Sequence, residues 1–352
     1  MVAVMTSRER VIAALQGLPC DRIPLASPLS VANAECMELT KAYFPFANIN
    51  AEKMANLAEA SYKILKFDSV SPYFGTTNEV EALGCSVNWG NQYRMPRVLT
   101  VAFRSLEEFK VPPDFLDRRG PRTVIDAIAI LKQRMNLKAA IFGKVIGPLS
   151  LIFYTCGIQN TLNSLILETD TVRQVLKEAT LLCINFALAQ IEAGADSITI
   201  SEDAVGDLIS RECYRQVVME AESKLNSALQ AYVPTVFHLS CQIMDRADLF
   251  AQTGFDALSF DSRNDILELR RLVGAMRLIG CVNNPATLLN GSKKDIEQEV
   301  FYSIYSGINL VSPECSIPLR VSNKNLLAMH EALTLYYRRM AKSDGIVSGM
   351  VW

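Results

Sequence analysis

Apolar residues recur along this chain with two periods in alternation. Thr6-Ser7-Arg8-Glu9 reads as a capping box opening a short helix through Leu15, ended by Gly17. DRIPLASPL (21–29) reads as a first strand, with helical patterning after it to about Tyr43. Residues 51–66, AEKMANLAEASYKILK, place apolar positions at helical spacing, and SVSPYFG (69–75) is strand-like. From Thr76 to about Phe115 the pattern is irregular, with a β-prone RVLTVAF and a Pro112-Pro113 break.

Beyond that point the rhythm is regular. A helix over 122–135 leads to strand AIFGKVIGP (140–148), then to helices near 149–166 and 171–193. Strand DSITISED (196–203) precedes a helix over 210–230, and strand PTVFHLSC (234–241) precedes one over 243–252. Strand ALSFD (257–261), a helix near 264–274 and strand RLIGCVN (277–283) follow. A helix over 294–306, strand INLVSPEC (308–315) and a helix over 323–339 complete the series.

The junctions at Gly194, Gly254 and Gly307 share one device: a glycine just past a helix takes the left-handed cap, and an apolar strand begins two or three residues on. Strands rich in Ile, Val and Leu alternating with helices imply a parallel sheet covered on both faces. About eight such units predict a (β/α)8 TIM barrel. A doubly wound open sheet is the runner-up, weakened by the missing glycine fingerprint. The expected organisation is one barrel domain over 1–352, with 76–115 inserted over the barrel mouth.

In a parallel barrel, chemistry sits at the carboxyl ends of the strands. Here those ends are polar: Glu202 and Asp203; His238, Ser240 and Cys241; Asp261; Asn283; Glu314 and Cys315. A helix cap explains Asp261 or Asn283. It does not readily explain a histidine and two cysteines at two of the ends. Glutamate, histidine and cysteine from separate strands suit zinc, which takes N, S and O donors and in catalytic sites keeps one position open. The bland alternative is a hydrogen-bonded packing histidine among inert core thiols. His330, the second histidine, falls in the final amphipathic helix and is expected at the surface.

Composition narrows the class without naming it. The chain has 352 residues, 50% hydrophobic and 20% charged, with net charge −2. Basic residues do not outnumber acidic ones, so no electrostatic footprint for nucleic acid is present. Arg118-Arg119-Gly120-Pro121-Arg122 is the one basic cluster and reads as a solvated turn. Nine scattered cysteines lack the spacing of a disulfide framework. The N-terminal apolar stretch is too short for a signal sequence, and no apolar run reaches the roughly 18 residues of a membrane span. A reducing cytoplasm is expected. The oligomeric state is left open, a homo-oligomer included.

The segments SRERVIAALQGLPCDRIPLASPL, GKVIGPLSL, AQIEAGADSITISED, TGFDALSFD, GCVNNPATLLNGS and GINLVSPECSIPLR together resemble the uroporphyrinogen decarboxylase superfamily. Within it they look most like the methylcobamide:coenzyme M methyltransferases. The likeness spans essentially the whole chain and implies a (β/α)8 barrel, in agreement with the periodicity. True uroporphyrinogen decarboxylases open with an arginine-rich motif that grips substrate carboxylates. The matching region here, SPLSVANAECMELTKAYFP, has no arginine, so a porphyrinogen decarboxylase is not expected.

The resemblance implies a zinc site built from a His-x-Cys pair and a distant cysteine. His238 matches the histidine and Cys315 the distant cysteine; an ungapped alignment through Gly254 puts Ser240 where the family has its middle cysteine. Side chains alternate along a strand, so Cys241 joins His238 only if the chain turns at residue 240. Otherwise the site uses His238, Cys315 and a carboxylate such as Glu202. Related corrinoid-dependent O-demethylase methyltransferases resemble this second case, although their middle glutamate falls on Val217 here. The expected ligands are Glu202, His238 and Cys315, with Cys241 as a fourth; His238 and Cys315 are the catalytic pair. Asp203, Asn283 and Arg320 are candidates for holding cofactor or substrate.

The implied reaction is zinc-dependent methyl transfer between a methylcorrinoid, carried by a partner corrinoid protein docking at the barrel mouth, and a coenzyme M-like thiol. One alternative starts from a methyl donor such as a methyl ether or methylamine and passes the methyl group to the corrinoid. Another is a metal-free homologue without catalysis.

Overall fold

The computed structural model describes residues 4–348. Its strands, in chain order, are β1 (Ser69–Val70), β2 (Ser86–Asn88), β3 (Arg97–Thr100), β4 (Ala140–Ile146), β5 (Ser197–Ser201), β6 (Thr235–Leu239), β7 (Ala257–Phe260), β8 (Arg277–Val282) and β9 (Leu310–Pro313). A seven-stranded parallel sheet runs β1-β4-β5-β6-β7-β8-β9, and β2 and β3 form a separate antiparallel pair. The Pro24–Ala26 segment closes the sheet. Leu25 bridges parallel to Val311 of β9. Ala26 N donates to Val311 O at 3.0 Å, and Asp68 N, beside β1, donates to Leu25 O at 2.6 Å. The result is a (β/α)8 barrel.

The expected strand over 21–29 is therefore a single bridge. Pro24 and Pro28 remove ladder donors on either side of Leu25, which leaves too few N–H groups for continuous pairing. Pro72 likewise follows the short β1, where a strand to residue 75 was expected.

The helix start at Thr6 is as expected. Its side chain accepts from Glu9 N, the reciprocal bond is present, and Gly17 ends the helix at φ 70°. The three glycine junctions also adopt left-handed geometry, with φ 115°, 83° and 86° at Gly194, Gly254 and Gly307. The expected helix over 210–230 is interrupted by a π-helical turn at Tyr214–Val218. The basic cluster at 118–122 opens the helix Arg119–Met135, and Arg118 and Arg122 pair with Asp114 and Asp126.

Between Thr76 and Phe115 lie a short helix, Thr77–Ala82, and the β2–β3 hairpin. The hairpin exit is anchored where Ala102 N and Phe103 N both donate to Thr155 O, at the end of the helix Pro148–Cys156. No helix among the described residues is long and apolar enough to cross a membrane.

Candidate active site

Along each barrel strand every second residue faces inward. At the amino ends these are Ala140, Phe142, Val236, Ala257, Ile279 and Leu310, which pack with Val11 and Leu15 of the N-terminal helix in one apolar plug. One step further, the residues of that parity on β4, β6, β7 and β9 are Lys144, His238, Ser259 and Ser312, all buried. The change from apolar to polar marks where the core ends and the site begins.

His238 is held from both sides. Its Nδ1 lies 3.0 Å from Ser259 Oγ, its register partner on β7, and its Nε2 lies 2.9 Å from Ser240 Oγ. Ser240 Oγ is in turn 3.1 Å from Cys315 Sγ. Ser259, His238, Ser240 and Cys315 thus form one hydrogen-bonded line. Burial, assisted by the Lys144 charge, pushes the His238 imidazolium down to about 3, so the ring is neutral at physiological pH. Burial pushes the Cys315 thiol up, while the Ser240 hydrogen bond and the Lys144 charge act the other way.

Lys144 was not singled out from the sequence, although a lysine inside the apolar run AIFGKVIGP is a visible signal: such a strand is buried on both faces. Its ammonium donates to Gly75 O at 2.6 Å and lies 4.3 Å from the centroid of the Tyr73 ring. Burial lowers its pKa to about 8 against the opposing pull of Glu79, Asp203 and Cys315.

Glu202 serves a different purpose from the expected one. Leu149 N and Ser150 N donate to its two carboxylate oxygens at 3.1 and 2.8 Å, and the Ser150 hydroxyl donates as well. The carboxylate therefore satisfies the first amides of the helix Pro148–Cys156, where the helix dipole also favours an acceptor. Gly147 makes the approach feasible, since a Cβ there would come 2.3 Å from Glu202 Oε2. Burial pushes Glu202 up to about 7 in spite of the Ser150 hydrogen bonds.

Cys241 packs elsewhere too. The chain keeps its alternation through Ser240, and Cys241 turns to Gly206, where an added Cβ would meet Sγ at 2.1 Å. Burial pushes that thiol up to about 12. The expected set of Glu202, His238, Cys241 and Cys315 is not assembled: among the described residues no three His, Cys, Asp or Glu side chains are grouped to hold a metal.

Asp203 is near the line. Tyr154 Oη donates to its Oδ2 at 3.2 Å, and its charge acts on both Lys144 and Cys315. Asn283 is a helix cap: its Oδ1 accepts from Ala286 N at 2.6 Å, and its Nδ2 donates to Ser262 Oγ at 2.8 Å. Glu314 accepts from Ser262 N and Asn284 N and ties the loops after β7 and β8 to the end of β9. Arg320 is exposed beside Tyr93 and Glu35. His330 is half-buried, not at the open surface, because the terminal helix packs its own flank inward.

Residues 6–336 match the uroporphyrinogen decarboxylase (URO-D) family. The chain belongs to that family. Two relatives of this URO-D family protein are the methylcobamide:CoM methyltransferases MtaA of Methanosarcina barkeri, 30% identical over 336 residues, and MtbA of Methanosarcina acetivorans, 30% identical over 334. Each alignment covers 94% of this chain and 98% of the relative. A solved methyltransferase from Methanosarcina mazei superposes with a TM-score of 0.91 at 30% identity, covering 95% of this chain and 99% of that one. The protein is a methyltransferase.

The donors of this URO-D methyltransferase fit zinc in part. His238 offers a neutral imidazole and Cys315 a sulfur, both ordinary zinc ligands, flanking one hydroxyl. Catalytic zinc usually takes three protein ligands, and the group between these two is the Ser240 hydroxyl, a neutral and weak donor.

Proposed function

We propose that this protein moves a methyl group between a corrinoid, presented by a separate protein, and a thiol acceptor of the coenzyme M type, at the His238–Ser240–Cys315 line. The observation that carries this reading is that line itself, at the carboxyl ends of β6 and β9, in a chain whose relatives are methylcobamide:CoM methyltransferases. The carbon–cobalt bond breaks with cobalt keeping the electron pair, so Co(III) becomes Co(I), and a carbon–sulfur bond forms to the acceptor thiolate.

The protein's own residues prepare that step. A proton on His238 Nδ1, donated to Ser259 Oγ, leaves the Nε2 lone pair facing the site. Lys144 supplies buried positive charge, which favours thiolate over thiol in a medium of low dielectric. A zinc ion, proposed at His238 and Cys315, would supply further pKa lowering to the acceptor thiol. The 76–115 segment is proposed as part of the cover over the barrel mouth in a single-domain protein, because Val98, Leu99 and Val101 share a cavity with Tyr154 and Asp203. The surroundings proposed for it are cytoplasmic.

The test supplies purified protein with methylcobalamin and 2-mercaptoethanesulfonate, with and without added zinc, and follows loss of the methyl–cobalt absorbance. Transfer abolished by His238→Ala supports the assignment. Absence of transfer in both zinc conditions, with methyl ethers or methylamines consumed instead in the presence of reduced cobalamin, overturns it.

A further inference from the structure

Lys144 enters the barrel with most of its hydrogen-bonding capacity unused. An ammonium carries three donors and no acceptor. Among the described residues one donor is taken, by Gly75 O at 2.6 Å, and the Tyr73 ring lies 4.3 Å away. Neither of these partners carries a charge, and the lysine is only 2% exposed. Glu79 and Asp203 act on it by charge, yet among the described residues neither forms an ion pair with it. Glu79 spends Oε1 on Ile146 N at 2.8 Å and leaves Oε2 buried without a partner, while Asp203 Oδ2 accepts from Tyr154 Oη. Burial pushes both carboxyls up, Glu79 to about 8, so Glu79 is largely neutral near physiological pH. The hydroxyl of Ser71, on the chain from β1 to Tyr73, is also buried without a partner.

A buried cation is costly unless an anion meets it in good geometry. Position says which anion that is. Gly75 follows β1, so the lysine runs from β4 up to the carboxyl end of the barrel. Its charge acts on both His238 and Cys315, which puts the ammonium in the same region as the reactive line. A methyl group delivered from the barrel mouth requires the acceptor sulfur to face the mouth, with the rest of the thiol inside. Pro96, at the turn of the hairpin, packs over Gly75: a Cβ there would lie 3.7 Å from Pro96 Cγ. That cover keeps water off the ammonium, and an ion pair gains strength as the local dielectric falls. The other cations at the mouth fit less well. Arg263 is bound by both oxygens of Asp261, and Arg320 is exposed beside Tyr93.

We propose that the Lys144 ammonium receives the sulfonate of the methyl acceptor and so selects an anionic thiol over a neutral one. The inference rests on the reading of this site as one of methyl transfer to a thiol of the coenzyme M type, and it assigns the residue that recognises the charged end. The ammonium keeps Gly75 O and gives its remaining donors to the sulfonate oxygens. The thiol end then lies toward His238 and Cys315.

Calorimetry on the purified, zinc-supplemented protein compares 2-mercaptoethanesulfonate with 2-mercaptoethanol. The parent is expected to bind the sulfonate at least about tenfold tighter, the scale of one charge-assisted hydrogen bond. Lys144→Met is expected to remove most of that preference, weakening the sulfonate thiol and leaving the neutral one nearly as before. Lys144→Gln serves if the methionine variant folds poorly. A purely structural lysine would move both thiols together and leave their ratio alone. Equal affinity for the two thiols in the parent, or a ratio unchanged in a folded variant, overturns the proposal. Methylcobalamin turnover is read separately. Lysine-dependent sulfonate binding without methylation of either thiol leaves the anion site standing and removes the methyl-transfer reading. Methylation of 2-mercaptoethanesulfonate with the same preference in parent and variant does the reverse.

Discussion

The hydroxyl of Ser240 lies between His238 Nε2 and Cys315 Sγ, 2.9 Å from one and 3.1 Å from the other. Zinc bonds of about 2.0–2.3 Å in a tetrahedron set neighbouring ligand atoms roughly 3.5 Å apart, and each of the two contacts to Ser240 Oγ falls within that spacing. What Ser240 lacks is softness and a negative charge. Ser240→Cys is therefore expected to raise zinc affinity by at least about tenfold, measured by competition with a chromophoric chelator. Equal affinity in a folded variant would show that the three positions do not converge on a metal.

Ser259 acts on the site only through His238. Partners of a ligating or catalytic imidazole typically change affinity or activity by about 10–100-fold when removed. Ser259→Ala is expected to lower methyl transfer within that range while the melting temperature stays close to the parent's, since only one hydroxyl is lost. His238→Ala is expected to remove zinc retention and activity together. If Ser259→Ala left both turnover and zinc affinity untouched, the Nδ1 contact would have no orienting role.

The barrel was legible in the sequence because its signals are local. The capping box at Thr6, the left-handed glycines after three helices and the apolar runs of β4 to β9 each follow from neighbours in the chain. The closing segment was overestimated because Leu25 sits between prolines, and its single bridge is set by tertiary contact with β9 and Asp68. His238 and Cys315 were found at strand ends, and Asn283 showed its capping pattern. The purpose of Glu202 was hidden, because it depends on Gly147 having no side chain and on a helix distant in sequence presenting its amides at roughly hydrogen-bond distance. Lys144 could have been found as the one charge in the apolar run 140–148, but its partners, Gly75 O and the Tyr73 ring, are brought to it only by the folded barrel.

Glu202 gives a pH-dependent prediction of definite sign. Its folded-state pKa is raised from 4.5 to about 7, chiefly by burial. The folded state therefore holds this proton more tightly than the unfolded chain does. The associated stability is full below pH 4.5 and is lost as the pH rises through about 7. The gap corresponds to at most roughly 3 kcal/mol. Glu202→Gln stays neutral throughout, so its stability relative to the parent should climb between pH 4.5 and 7 and then level off, as read by urea unfolding at each pH. Zinc content should be unchanged in this variant, because the carboxylate is committed to the helix amides. Loss of zinc in Glu202→Gln would restore Glu202 as a ligand.

Lys144 is a buried cation whose charge reaches the Cys315 sulfur. Its charge pulls the Cys315 thiol down, against the upward push of burial and of Asp203. Lys144→Met keeps the length of the side chain and removes the charge, so the Cys315 thiol should titrate at higher pH. Iodoacetamide alkylation of Cys315, followed by peptide mass spectrometry across a pH series, reads this directly, since only thiolate reacts at an appreciable rate. The seven other cysteines outside the line and Cys241 serve as internal references. Glu79 shares the burial of Lys144 and is itself pushed up to about 8, so loss of the cation should leave it more readily protonated, without a new buried charge. The variant is therefore expected to fold, with Cys315 alkylated more slowly than in the parent at pH values near neutrality. An unshifted or lowered midpoint for Cys315 would mean that the ammonium on Gly75 O and the Tyr73 ring is structural, with no influence on the sulfur at the end of β9.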